Sequence, residues 1–243
     1  MTKIFAHRGA SGQYPENTML AFEKRIEAGA DGIEFDVQLA KDGRIVVIHD
    51  ERLDRTTSLK GFVKDTAYDV IKTADAAANH NQTYSDTKVP LLEDVLFWAE
   101  KKNFLLNIEL KNSVIRYEGM EEKVLEEVKR FNLEERVILS TFNHESLALC
   151  ARLAPHIERA ALTSDVLYQA DQYITSIPAS GYHPRLNSPA AADDVLKKMR
   201  NSSIKFRPYT VNRPEDMERL IEAGADGIFT DFPAKAAAML KNE

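Results

Sequence analysis

The chain has 243 residues, is 44% hydrophobic and carries a net charge of −6 with acids and bases interspersed. That length fits one α/β barrel or two smaller domains with a sizeable core, and the lack of a basic stripe argues against nucleic acid as the main partner. No run reaches the roughly 18 apolar residues of a membrane span and residues 1–9 hold no apolar signal core, so a cytoplasmic protein without an integral membrane segment is expected.

In chain order, Lys3–Ala6 reads as a first strand turning at His7-Arg8-Gly9. Asn17 or Thr18 suits a helix cap, and Met19, Phe22 and Ile26 mark the buried stripe of the helix that follows. Strand two runs through Ile33–Val37, with Glu34 and Asp36 on one face and Ile33, Phe35 and Val37 on the other. Lys41-Asp42-Gly43-Arg44 is a hairpin signal before Ile45–Ile48, which ends in His49-Asp50. Residues 51–88 are polar and irregular, and are expected to be an excursion capping the mouth of the fold. Alternation then resumes. Leu92, Val95, Leu96 and Ala99 share a helix face, Phe104–Leu110 is a strand, and Val124, Leu125, Val128 and Phe131 line the next helix. Strands are expected at 137–142, 158–163, 181–187, 206–211 and 227–230, with helices at 145–154, 166–177, 191–199 and 214–223. Cys150, the single cysteine, sits at helical spacing with Leu147 and Ala154 and reads as a small buried hydrophobe; it excludes an intrachain disulfide.

The octapeptide Ile-Glu-Ala-Gly-Ala-Asp-Gly-Ile occurs twice, at 26–33 and 221–228. Each copy ends an amphipathic helix in glycine and starts an apolar strand, an α-to-β joint used at both ends of the chain. Nine strand-like stretches with helices between most of them imply parallel pairing and right-handed crossovers. Eight of the nine fit an α/β fold of the (β/α)8 TIM-barrel type, and the hairpin at Asp42-Gly43 holds either an extra strand or a barrel step lacking its helix. A doubly wound open sheet is the alternative, but no Gly-x-Gly-x-x-Gly follows strand one.

In a barrel, reactive groups belong at the C-terminal ends of strands. His7 and Arg8, Glu34 and Asp36, His49, and Glu109 and Lys111 all fall there. A solvated strand edge would explain any one of them, but unpaired charge on several barrel strands costs stability. Three carboxylates without cysteine suit a hard cation, Ca²⁺ or Mg²⁺. Arg8 and Lys111 offer positive charge to an anion, and His7 and His49 can serve as general acid and base, so the set is equipment for phosphoryl transfer. A metal-dependent isomerase or aldolase, and a binding module for phosphorylated small molecules, are the rival readings.

His7-Arg8-Gly9, Pro15-Glu16-Asn17-Thr18, Glu34-Phe35-Asp36, His49-Asp50, Arg55-Thr56-Thr57 and Glu109-Leu110-Lys111 together resemble the glycerophosphodiester phosphodiesterases, as does the closing Ala225–Pro233. The likeness spans essentially the whole chain as one domain, with 51–88 as the inserted segment after the second histidine. It implies that Glu34, Asp36 and Glu109 bind a divalent cation, that His7 and His49 are the catalytic pair, and that Arg8 and Lys111 hold the phosphate. A small-molecule glycerophosphodiester would be hydrolysed to glycerol 3-phosphate and an alcohol. Residues 208–212 depart from the family pattern, where many relatives carry a tryptophan.

Overall fold

The computed structural model describes residues 1–186 and 191–240. Among the described residues there are nine strands and nine α-helices, alternating except that β3 follows β2 directly and α3 follows α2. The strands are β1 (Lys3–His7), β2 (Gly32–Leu39), β3 (Ile45–Val47), β4 (Leu105–Leu110), β5 (Val137–Thr141), β6 (Glu158–Thr163), β7 (Gly181–Pro184), β8 (Lys205–Phe206) and β9 (Gly227–Thr230). The helices are α1 (Met19–Glu27), α2 (Tyr68–Ile71), α3 (Leu92–Glu100), α4 (Met120–Arg130), α5 (His144–Leu153), α6 (Ala170–Ser176), α7 (Asp193–Asn201), α8 (Pro214–Glu222) and α9 (Pro233–Leu240).

Eight strands pair in parallel in the order β8-β7-β6-β5-β4-β2-β1-β9. Main-chain bonds carry the ring across its last gap, from Asp226 N to Phe206 O (3.0 Å), Phe229 N to Pro208 O (3.1 Å) and Val211 N to Phe229 O (2.7 Å). This is the expected (β/α)8 barrel. β3 is the extra strand: it runs antiparallel to β2 and lies outside the ring.

Side-chain alternation divides the barrel into two apolar layers. Ile33, Phe35 and Val37 of β2 pack outward against the helices, with Phe22 of α1 and Leu92 and Leu96 of α3 in the same cluster. Phe5, Ile138, Ala160 and Phe229 fill the interior. Burial of such side chains is worth roughly 1.5–3 kcal/mol each, so the shell dominates stability.

The two octapeptide copies adopt one joint. Gly29 and Gly224 both take φ of +74°, each donating to the carbonyl three residues earlier, Ile26 and Ile221. Asp31 and Asp226 then hold the start of the preceding strand, accepting from Ile4 N (2.9 Å) and Phe206 N (2.8 Å). Gly32 and Gly227 flank the Phe5 ring from either side, where a Cβ would come within 2.8 and 3.1 Å of it.

Several details differ from expectation. Ile26 is 48% exposed; Arg25 takes the buried place instead, its guanidinium 3.7 Å from the Phe104 ring centroid and bonded to Ala30 O. β8 ends at Phe206 rather than running to Val211, because Pro208 has no N–H to continue the ladder. α6 begins at Ala170, not 166, and β7 ends at Pro184; Asn187 lies outside the described residues. The segment 51–88 is less polar inside than its composition suggests: Leu53, Val63, Tyr68 and Ile71 form a small core with Val46 and Ile48. No helix among the described residues is long and apolar enough to cross a membrane.

Candidate active site

Strand register assembles the site. β1 pairs with β2 so that His7 lies beside Glu34, and β2 with β4 so that Asp36 lies beside Glu109. Alternation turns Glu34 and Asp36 inward together, opposite the apolar face. Glu34 and Asp36 are 4% and 0% exposed and Glu109 9%, and one oxygen of each falls within 4.8 Å of the others.

Charge is only partly balanced here. Arg8 lends its backbone N–H to Glu34 Oε2 (2.9 Å), its Nη1 to Glu16 (2.8 Å), and stands 3.5 Å from Asp36. Lys111 Nζ donates to Glu109 (2.8 Å) and lies 3.9 Å from Asp36 and 3.2 Å from His49 Nε2. Asn17 donates its amide to Asp36 Oδ2 (2.9 Å), while Asp36 Oδ1 is buried without a hydrogen-bond partner. Burial, reinforced by Asp36 and Glu109, pushes the Glu34 carboxyl well above its ordinary value, and burial with Asp36 raises Glu109. Burial would raise Asp36 too, but Arg8, His49 and Lys111 hold it below the usual carboxylate range. An orphaned carboxylate oxygen beside two acids that cannot ionise cheaply is a donor set that could hold a divalent cation.

Each histidine is gripped from behind. His7 Nδ1 is 2.7 Å from Asp231 Oδ1, and Asp231 also accepts from Asn212 (2.6 Å) and Ser11 (3.0 Å). His49 Nδ1 is 2.7 Å from Asp50 Oδ1, and Arg55 grips both oxygens of Asp50 at 2.6 and 3.0 Å. Arg55 hydrogen bonds and His49 overcome the burial of Asp50 and bring its carboxyl down to about 2. Those bonds leave each Nε2 facing the cluster, His7 Nε2 at 3.9 Å from Glu34. Arg55 also clasps Glu16 at 2.7 and 2.8 Å, so the insertion buttresses both the His49 pair and the Arg8 partner.

All seven residues singled out by the sequence, His7, Arg8, Glu34, Asp36, His49, Glu109 and Lys111, thus lie at one end of the barrel. Asp231, Asp50, Arg55 and Glu16 stand in quoted motifs without a role, and Asn17, read with Thr18 as a candidate helix cap, leaves the cap to Thr18 and serves Asp36; what the sequence lacks is the distance that makes them partners. Arg8 and Asn17 have φ of +53° and +56°, a conformation that costs a non-glycine residue energy and clusters at functional sites.

The cluster forms the floor of a cavity of about 890 Å³, whose far wall carries Phe142, Ser164, Arg185, Tyr209 and Asp216. None of its lining residues comes from 51–88. A second cavity of about 710 Å³ opens at the opposite, N-terminal end, where Glu158 pairs with Lys205 and Arg207. The reactive groups are at the first.

The profile of the glycerophosphoryl diester phosphodiesterase family matches residues 7–235. The chain belongs to that family. Among family relatives, a glycerophosphodiester phosphodiesterase of Bacillus altitudinis is 51% identical over 97% of both chains. An uncharacterized Bacillus subtilis protein, YqiK, is 85% identical over the full length of both. A phosphodiesterase of Oleispira antarctica, solved with the product sn-glycerol-3-phosphate, has the same fold with a TM-score of 0.87 and 26% identity, over 99% of this chain and 97% of its own. The family's barrel, and not an open sheet, is therefore the frame in which this site works.

Proposed function

We propose that this protein hydrolyses glycerophosphodiesters to sn-glycerol 3-phosphate and an alcohol. The observation that carries the reading is the pairing of a buried three-carboxylate cluster with two Asp-held histidines on one rim. Glu34, Asp36 and Glu109 would hold a divalent cation, Ca²⁺ or Mg²⁺, which when bound supplies Lewis acidity toward oxygen ligands. Arg8 and Lys111 would bind the phosphate oxygens, Arg8 through its guanidinium and Lys111 as a point charge.

His7 and His49 would move the protons. Asp231 and Asp50 orient the two rings through Nδ1, leaving Nε2 of one to take a proton from the attacking hydroxyl and Nε2 of the other to give one to the leaving alcohol. The insertion 51–88 would act on the site through Arg55, as a buttress behind His49 and Arg8. An isomerase or aldolase has no use for a second Asp-held histidine, and a binding module has no use for either.

The test is release of sn-glycerol 3-phosphate from glycerophosphocholine and glycerophosphoglycerol, with Ca²⁺ or Mg²⁺ and after exhaustive chelation. Cation-dependent release supports the reading. Undiminished turnover after chelation removes the role given to the carboxylates, and no release from any diester removes the function.

A further inference from the structure

Around the ring, β7 stands diametrically opposite β2, the strand that carries Glu34 and Asp36. The residue leaving β7 at the mouth is Arg185. Its backbone is fixed, donating to Thr163 O at 3.0 Å and bridging in parallel to Tyr209. Its side chain is exposed and lines the catalytic cavity.

The other cations of that cavity are matched: Arg8 with Glu16, Lys111 with Glu109 and Arg213 with Asp216. Among the described residues Arg185 forms no ion pair with a carboxylate. Its charge still reaches the wall, opposing the burial and the Glu109 charge that raise the Tyr209 phenol.

The leaving-alcohol side of the cavity matters only on the proposed function. If the glycerol hydroxyl lies beside the β2 carboxylates, the leaving alcohol extends across the mouth toward the wall built by β6, β7 and the loop after β8. A quaternary ammonium there would look for a carboxylate or an unoccupied aromatic face. Asp216 is held by Arg213 at 2.7 Å, the Phe142 ring already has the Lys111 ammonium 5.9 Å from its centroid, and the Tyr209 ring is packed edge-on with Phe142 at 6.1 Å; Asp165, whose charge also reaches Tyr209, does not line the cavity. An anion would find Arg185, with the Ser164 hydroxyl on the same wall.

We infer that Arg185 is a specificity-determining residue that selects glycerophosphodiesters whose leaving alcohol carries a second phosphate over those ending in a quaternary ammonium. The reaction is unchanged: the attacking hydroxyl oxygen gives up its proton and bonds to phosphorus, the bond from phosphorus to the leaving oxygen breaks, that oxygen gains a proton, and the second phosphate leaves intact with the alcohol.

The test measures kcat/KM of the cation-loaded full chain on glycerophosphocholine and on a glycerophosphoglycerol bearing a terminal phosphate. The wild type should prefer the phosphate-ended substrate. A hydrogen bond to a charged group is worth about 10–100-fold in an equilibrium, so Arg185→Gln should lose about that much on the phosphate-ended substrate. The loss should fall mainly in KM and leave glycerophosphocholine unchanged. Arg185→Lys, which keeps the charge, should recover part of it. A wild-type preference for glycerophosphocholine, or equal losses on both substrates in Arg185→Gln, overturns the inference. No turnover of either would sink the proposed function and this inference with it.

Discussion

Replacing Glu34 by Gln separates what this carboxylate does to the fold from what it does for a cation. Glu34 is buried with Asp36 and Glu109, with ligand oxygens within 4.8 Å of one another. Two unit charges at that spacing repel by about 3.5 kcal/mol at an effective dielectric of ~20. Two such repulsions act on Glu34, and Arg8 offsets part of them. The cost has a ceiling, since protonating an ordinary glutamate near pH 7 takes about 3.7 kcal/mol. Gln keeps the volume and an oxygen to accept the Arg8 N–H. The metal-free variant should therefore gain about 1–3 kcal/mol, or about 2–10 °C in Tm for a chain of this size.

The pH dependence has a definite sign. Burial and the two neighbouring carboxylates raise the folded pKa of Glu34 above its unfolded value. The folded state then keeps a proton that the unfolded state has lost. Stability from this group is complete below about pH 4.3 and falls as pH rises through the raised folded value. Urea and thermal unfolding of the metal-free proteins should show that decline in the wild type and a flatter profile in Glu34→Gln. Cation at 100 times its Kd should add about 2.7 kcal/mol to the wild type and much less to the variant. A metal-free variant less stable than the wild type, or equal stabilisation of both by cation, refutes the reasoning.

Three further outcomes are expected. Asp231→Asn and Asp50→Asn should each lower kcat by up to about 10²–10⁴-fold with little change in Tm, since they disturb the orientation of a histidine and not the fold; unchanged turnover in either would show that its histidine needs no partner. His7→Ala and His49→Ala should be strongly non-additive, and a nitrophenol leaving group should rescue only the variant that lacks the proton donor; rescue of both or of neither would argue that at least one ring does something else. Arg55→Ala removes two hydrogen bonds to Asp50 and two to Glu16, so activity should fall while the barrel stays folded; wild-type kinetics would mean that the insertion does not support the site.

The barrel was legible because its signals are local. Glycine ends helices, apolar runs make strands, and period-two alternation puts Glu34 and Asp36 on one face. The same rule supplied the site residues, since strand ends name the rim of a barrel. Partnership was not legible. Nothing at position 231 announces a bond to position 7, because the two meet only when β9 pairs with β1 and the ring closes. Arg25 in place of Ile26 shows the converse failure: helical periodicity marks a face, but a guanidinium stacked on Phe104 can claim the buried position. In 51–88 the four apolar anchors are too far apart to show any period, so a segment with its own core reads as a polar loop.

The two octapeptide copies feed the strands on either side of β1, and their glycines close on one ring, Phe5, like opposed jaws. His7 lies two residues farther along the same strand, on the same face. The height of the His7 imidazole is thus set at the barrel floor, by a vice whose jaws are distant in sequence and alike in design. A methyl group added at Gly32 meets Leu105 O at 2.7 Å as well as the ring, and one at Gly227 meets Lys3 O at 3.0 Å as well as the ring, so the two insults share only the part that the ring can relieve. The carbonyl contacts are separate and should add, while the pressure on the ring should be felt above, at the imidazole that β1 carries.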